Sequence, residues 1–85
     1  MNNILKNILS ALSDKNIKFT DLKKLILDLG FSERIKGSHH IFFKKSIAEI
    51  INLQSLKNGK AKAYQVRQVR NIIIKYELYK EEKNV

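Results

Sequence analysis

Hydrophobic positions near the N-terminus recur at helical spacing. In residues 3–13 the apolar side chains fall on one side of a helix, and they are Ile4, Leu5, Ile8, Leu9 and Leu12. This pattern predicts a short amphipathic helix with a single apolar stripe. Residues 14–18 then predict a turn, with Ile17 and Phe19 as candidate anchors.

A second helix is predicted from about Thr20 to Gly30. Thr20 has a side chain suited to an N-cap, and Asp21 follows in the first turn, where the helix dipole favours an acid. Gly30 stands where a left-handed cap ends a helix. The apolar stripe of this helix consists of Leu22, Leu25, Ile26 and Leu29.

The helical period is lost after Gly30 and returns near the C-terminus. Residues 31–36 and 39–45 predict two strands joined by Gly37 and Ser38, because glycine in the first position of a two-residue loop suits a type II′ hairpin. Residues 47–53 predict a third strand, and residues 54–63 a loop. The spacing of apolar residues in 64–79 predicts a helix. Its inward side chains are Val66, Val69, Ile73 and Tyr76. Its basic residues lie largely outside that stripe, and they are Arg67, Arg70 and Lys75.

This order of elements predicts an α+β fold. Two helices, three antiparallel strands and a closing helix make a small two-layer domain. Its αβββα core has the order of double-stranded-RNA-binding domains, preceded by an extra N-terminal helix. The chain's 85 residues fit a single domain, 1–85, in which residues 1–18 are a helical extension and residues 20–79 the core.

Charge narrows the range of partners. The formal net charge is +9, and residues 34–75 contain ten Lys and Arg but only one acid, Glu49. The remaining positions hold seven basic and seven acidic residues, so the excess is local. Such an excess favours nucleic acid, with a solvated surface as the alternative. There is no cysteine, and no apolar stretch reaches the length of a membrane span, which predicts a cytoplasmic protein.

The candidate chemistry lies in His39 and His40, the only two histidines. Imidazole transfers protons near neutral pH, and RNA carries its own nucleophile, the 2′-hydroxyl. A histidine can therefore cleave RNA without a metal. The alternative is that one histidine is buried and hydrogen-bonded while the other is solvated. No metal site or cofactor is predicted, since adjacent strand residues point to opposite faces.

The segment Arg34-Ile35-Lys36-Gly37-Ser38-His39-His40-Ile41-Phe42 resembles the signature of HicA-type toxins, small mRNA interferases of bacterial toxin–antitoxin pairs. The resemblance covers residues 20–78. It implies a double-stranded-RNA-binding-like fold, endoribonuclease activity on mRNA and neutralisation by a HicB-type antitoxin, as a monomer or an antitoxin-bound complex. It also implies that Gly37 and Ser38 form the family turn and that His40 is catalytic. The residues expected to bind RNA are Lys36, His39, Lys44, Arg67 and Arg70.

The predicted turn also fixes a register. With Gly37 and Ser38 as the loop, Lys36 faces His39 and Ile35 faces His40. His40 then shares a face with Glu33 and Phe42, which predicts that it is the drier of the two histidines.

Two other functions stay open at this point. One is a non-catalytic module that binds double-stranded RNA, and the other is a protein-interaction module for an acidic partner. The N-terminal helix has three candidate roles, which are to pack on the domain, to pair two protomers or to contact the antitoxin.

Overall fold

The computed structural model describes residues 3–81. Three α-helices and three strands follow one another in the predicted order, with short 3₁₀ helices at Asp14–Asn16 and Leu78–Glu81. The main elements are α1 (Asn3–Ser10), α2 (Phe19–Asp28), β1 (Ser32–Lys36), β2 (His39–Lys44), β3 (Ile47–Leu53) and α3 (Ala63–Lys75). The predicted α+β two-layer αβββα fold with an added N-terminal helix is confirmed.

The three strands form one antiparallel sheet in the order β1-β2-β3. Phe42, Ile51 and Leu53 are buried and mark the face that the helices cover. Ile50 and Asn52 alternate with them and are exposed, so they mark an open face. A register shift between Phe42 and Lys44 interrupts the β2–β3 ladder.

The apolar stripes predicted for α2 and α3 form the centre of the core. Leu22, Leu25 and Ile26 of α2 and Val66 and Val69 of α3 are at most 1% exposed. Ile17 and Phe19 are buried as predicted anchors. The covered face of the sheet closes this core, and α3 is bound to it by Tyr76 Oη and Lys75 Nζ, which both donate to the Glu49 carboxylate.

Helix α1 packs on the domain, which is one of the three roles considered for it. Leu5 and Ile8 are fully buried, and burial of each such side chain contributes roughly 1.5–3 kcal/mol. The segment after α1 is fixed by Arg70 of α3. Its Nη1 donates to the Ile8 carbonyl at 3.1 Å and to Asp14 Oδ1 at 2.8 Å, and its Nη2 donates to Asp14 Oδ2 at 3.1 Å.

The prediction that Leu12 belongs to the buried stripe is wrong. Helix α1 ends at Ser10, Ala11 takes a positive φ of 61°, and Leu12 is 87% exposed. After this turn Asp14 lies against Arg70, with Oδ1 2.8 Å from Nη1.

The predicted N-cap at Thr20 is also wrong. Helix α2 begins one residue earlier at Phe19, and its N-cap is Lys18, with no side-chain capping bond. The Phe19 N–H donates instead to the Gly59 carbonyl at 2.9 Å, so a distant loop satisfies the helix end. The C-terminal end is as predicted: Gly30 has φ +97°, and the bonds Gly30 N–H to Leu27 O and Phe31 N–H to Ile26 O form a Schellman motif.

The closing helix is shorter than predicted and begins one residue earlier. It starts at Ala63 and ends at Lys75, not Tyr79. Glu77 takes a positive φ of 54°, and this reversal buries Leu78 in the core. Of the predicted inward residues, Val66, Val69 and Ile73 are buried, while Tyr76 is half-buried. In residues 3–81 no helix is both long and apolar enough to cross a membrane.

Candidate functional site

The β1–β2 hairpin places the two histidines. Gly37 has φ +61° and Ser38 does not have a positive φ, as a type II′ turn requires. The strand register pairs Lys36 with His39 and Ile35 with His40, as the turn predicted. Because side chains alternate along a strand, the adjacent histidines lie on opposite faces of the sheet.

His40 lies on the covered face, near the edge of the helical layer. Its side chain is 21% exposed. The ring meets Phe19, the first residue of α2, edge to face with centroids 5.0 Å apart and planes at 66°. Its Nδ1 lies 2.7 Å from Glu33 Oε2. The ring is therefore held by one helix and one neighbouring strand.

Glu33 occupies the position on β1 diagonal to His40. It pairs with Phe42, two residues along β2, and this places its carboxylate within reach of the imidazole. Lys23 of α2 approaches the same oxygen, with Nζ 3.2 Å from Oε2. Glu33 thus joins β1 to both α2 and β2.

The pKa of Glu33 is lowered below its usual 4.5. Partial burial acts to raise this pKa, but the hydrogen bonds from His40 and Lys23 together with their charges outweigh it. Glu33 is therefore ionised at neutral pH and accepts a hydrogen bond from His40 Nδ1. A carboxylate acceptor on Nδ1 fixes the imidazole proton there.

The other ring nitrogen of His40, Nε2, has no hydrogen-bond partner within residues 3–81. With Nδ1 protonated, the Nε2 of a neutral imidazole presents a lone pair. This arrangement of carboxylate, imidazole and unpaired nitrogen can take up a proton from a hydroxyl group, and it can return that proton afterwards.

His39 has a different environment. Its side chain is exposed on the open face, and Nδ1 lies 3.1 Å from Asn52 Oδ1 of β3. Within residues 3–81 no carboxylate or aromatic ring contacts it. The prediction that His39 is the wetter histidine is confirmed.

The residues predicted to bind RNA divide into two groups. Lys36, His39 and Arg67 are exposed, and the hairpin brings Lys36 opposite His39. Lys44 donates to the Leu29 carbonyl at 2.8 Å and lies 5.9 Å from the centre of the Phe31 ring, so it caps the end of α2. Arg70 is held in its bidentate pair with Asp14. The structure gives these last two residues a role in the fold.

Sequence reasoning missed Glu33 as the companion of His40, together with Lys23 and Phe19. The signal for Glu33 was present, because the predicted hairpin register puts it on the face of His40. Lys23 and Phe19 belong to a separate helix, and no local pattern brings a helix to a particular strand.

In residues 3–81 no three His, Asp or Glu side chains cluster in a way that would hold a metal ion. Comparison of the chain with protein-family models, with curated proteins and with solved structures finds no match.

Proposed function

We propose that this protein is a metal-independent endoribonuclease that cleaves mRNA, with His40 as its proton-transfer group. The observation that carries the proposal is the geometry of His40. The ring is oriented by an ionised carboxylate at 2.7 Å, packed against Phe19, and left with one unpartnered nitrogen. A hydrogen bond from Nδ1 to a carboxylate sets the tautomer that a general base at Nε2 requires.

The chemistry follows from the structure of RNA. Nε2 of His40 removes the proton of a 2′-hydroxyl, whose oxygen attacks the adjacent phosphorus. The bond from phosphorus to the 5′-oxygen breaks, that oxygen takes up a proton from the imidazolium or from water, and the products are a 2′,3′-cyclic phosphate and a 5′-hydroxyl. The imidazolium that forms is stabilised by Glu33, much as a buried aspartate stabilises the histidine of a catalytic triad.

The basic surface supports RNA as the substrate. The excess of ten cations over one acid in residues 34–75 attracts a polyanion over a long range. Lys36 and Arg67 are exposed members of this set and are the phosphate-binding residues of the proposal. The protein acts in the cytoplasm, where its mRNA substrate is found.

The resemblance of residues 34–42 to HicA-type toxins supports the biological role. In this proposal the chain is the toxin of a type II toxin–antitoxin pair, and a HicB-type protein neutralises it. The part of this segment that carries the resemblance, Gly37-Ser38-His39-His40, lies at the hairpin. Gly37 and Ser38 form its turn, and the two histidines begin β2.

A second candidate function is a non-catalytic module that binds double-stranded RNA. It is favoured by the αβββα order, because small basic domains of this order read the shape and the 2′-hydroxyls of duplex RNA. It leaves the His40–Glu33 pair without a purpose. Tight duplex binding with no strand cleavage on long incubation would select this function.

The test is RNA decay by purified protein in the presence of a chelator. His40→Ala should lower the rate by about 10²–10⁴-fold, which is the usual contribution of a general base. His39→Ala is the matched control when the rate is measured at saturating protein, where a loss of binding does not lower it. It removes an imidazole one residue away that has no part in the proposed proton transfer, and its rate should stay within about tenfold of wild type. Equal decay by wild type and His40→Ala would remove His40 from the mechanism.

The toxin role is tested separately by induced expression in bacteria. Growth arrest with loss of total mRNA is expected for wild type and not for His40→Ala. A co-expressed antitoxin gene from the same locus should relieve the arrest. Arrest by both variants would contradict the catalytic proposal.

A further inference from the structure

A second concave surface lies beside the hairpin, at the free edge of β3 and the first turns of α3. We call it the edge groove, and its volume is about 290 Å³. It opens on the side of the sheet where His39 lies, opposite to His40. Its lining residues are His39, Ile50, Asn52, Gln54, Lys62, Tyr64, Gln65 and Gln68.

The chemistry of the edge groove differs from that of the surrounding basic surface. Four of its eight lining side chains are amides, and Lys62 is its one cation. Gln65 is buried, and the other three amides, Asn52, Gln54 and Gln68, each carry both a donor and an acceptor group, the combination that the hydrogen-bonding edge of a base requires. Tyr64 is 58% exposed, so its ring is available for stacking. A groove made for phosphate would instead contain several cations.

The edge groove is held rigid by one buried amide. Gln65 is 6% exposed; its Nε2 donates to the Asn52 carbonyl and its Oε1 accepts from the Gln54 N–H, both at 3.3 Å. These two bonds hold the backbone of Asn52 and Gln54, whose side chains line the groove. Gln54 Nε2 also donates to Ser38 Oγ at 3.0 Å, which ties the groove to the hairpin turn.

We propose that the edge groove binds one unpaired base of an RNA strand, by stacking on Tyr64 and by hydrogen bonds to the amides. The inference rests on the proposed function and adds to it a preference for single-stranded substrate. His39 lines the groove, and His40 is the next residue of β2 on the opposite face of the sheet. In this proposal a strand held in the groove crosses the hairpin end of the sheet to reach the His40 imidazole. The stacking face and the edge of a base are exposed only when the base is unpaired.

The experiment measures binding of short 2′-O-methyl homo-oligonucleotides of A, C, G or U to the wild-type protein. The methyl group removes the nucleophile, so the RNA stays intact. Tyr64→Ala should weaken binding about tenfold, as expected for loss of a stacking ring, and Tyr64→Phe should retain it. Ile74→Ala is the control, because it truncates a side chain of α3 that is 52% exposed and lies away from the groove.

Two results would overturn the inference. One is that wild type and Tyr64→Ala bind each of the four oligonucleotides with the same affinity. In that case the groove would be a site for a protein partner and not for a base. The other is an equal loss of affinity for duplex and single-stranded RNA in Tyr64→Ala. Circular dichroism and thermal melting of each variant establish that it is folded.

Cleavage in chelator, measured on the same preparations, separates this inference from the proposed function. Binding that depends on Tyr64 without cleavage that depends on His40 would support the groove and contradict the nuclease. Cleavage that depends on His40, with binding insensitive to Tyr64, would support the nuclease and contradict the groove.

Discussion

Two acidic side chains, Asp14 and Glu33, each join separate elements through half-buried ion pairs, and they do so in different ways. Asp14 accepts two parallel bonds from Arg70, at 2.8 and 3.1 Å, and the guanidinium also reaches a backbone carbonyl. One oxygen of Glu33, Oε2, lies 3.2 Å from Lys23 Nζ and 2.7 Å from His40 Nδ1. The first pair joins both carboxylate oxygens to both terminal nitrogens of the guanidinium. In the second, the imidazole uses Nδ1, and its Nε2 has no partner within residues 3–81.

The difference shows that two basic side chains of one small protein have different roles. Arg70 is 12% exposed and donates three hydrogen bonds to Asp14 and the Ile8 carbonyl, so its guanidinium contributes to the fold. His40 is held through one ring nitrogen by Glu33 and by the edge of the Phe19 ring, and the proposed chemistry uses its other nitrogen. Sequence position does not distinguish these uses, because both residues lie in the basic segment 34–75.

The largest expected effect is on stability. Arg70→Ala leaves Asp14 and the Ile8 carbonyl half-buried without their donor, and we expect the free energy of unfolding to fall by about 3 kcal/mol. Urea denaturation measures this change. Arg67→Ala, on the same helix but exposed, is the control and should stay within about 0.5 kcal/mol of wild type. Equal stability of the two variants would show that the Asp14 pair does not hold α1 to α3.

The next effect is on catalysis. Glu33→Gln keeps an oxygen near Nδ1 but removes the charge that stabilises the imidazolium, and we expect the cleavage rate to fall about tenfold. Single-turnover cleavage at saturating protein measures the rate, and binding of uncleavable RNA should stay unchanged. Glu77→Gln, which neutralises an exposed carboxylate, is the control. An unchanged rate in Glu33→Gln would mean that the carboxylate does not position His40.

The smallest effect is on the pH dependence of stability. The pKa of Glu33 is lower in the folded protein than its usual 4.5, so its pairing stabilises the fold above that value. This stabilisation is lost as the pH falls through the lowered pKa. Below about pH 4.5 the unfolding free energy of wild type should therefore fall more steeply than that of Glu33→Gln. Parallel curves would contradict the pairing, and Ile74→Ala, which removes no charge, should parallel wild type.

The hairpin shows how much of the site is readable from sequence. Gly37 and Ser38 specify a two-residue turn, and the turn fixes the register of every pair from Lys36–His39 to Ser32–Phe43. That register places His40 on the covered face with Glu33 and His39 on the open face. These assignments are local, since each follows from strand alternation and a turn type.

The contacts that the sequence does not reveal join distant segments. Arg70 and Asp14 are separated by 56 positions, and both lie in predicted surface stretches. Phe19 begins α2 because the Gly59 carbonyl accepts its N–H, and no capping pattern in residues 18–21 signals that loop. The edge groove combines the end of β3 with the start of α3 in the same way. Such contacts depend on how the layers pack, which periodicity does not encode.

Gln65 has a consequence for how copies of this chain meet one another. Its side-chain amide occupies the Asn52 carbonyl and the Gln54 N–H at the outer edge of β3, as the peptide group of a neighbouring strand would. An unpaired sheet edge is a template on which a second chain can add a strand and begin to aggregate. A strand arriving at this end of β3 must first displace a buried amide, so one side chain from a helix protects the sheet against edge-to-edge association.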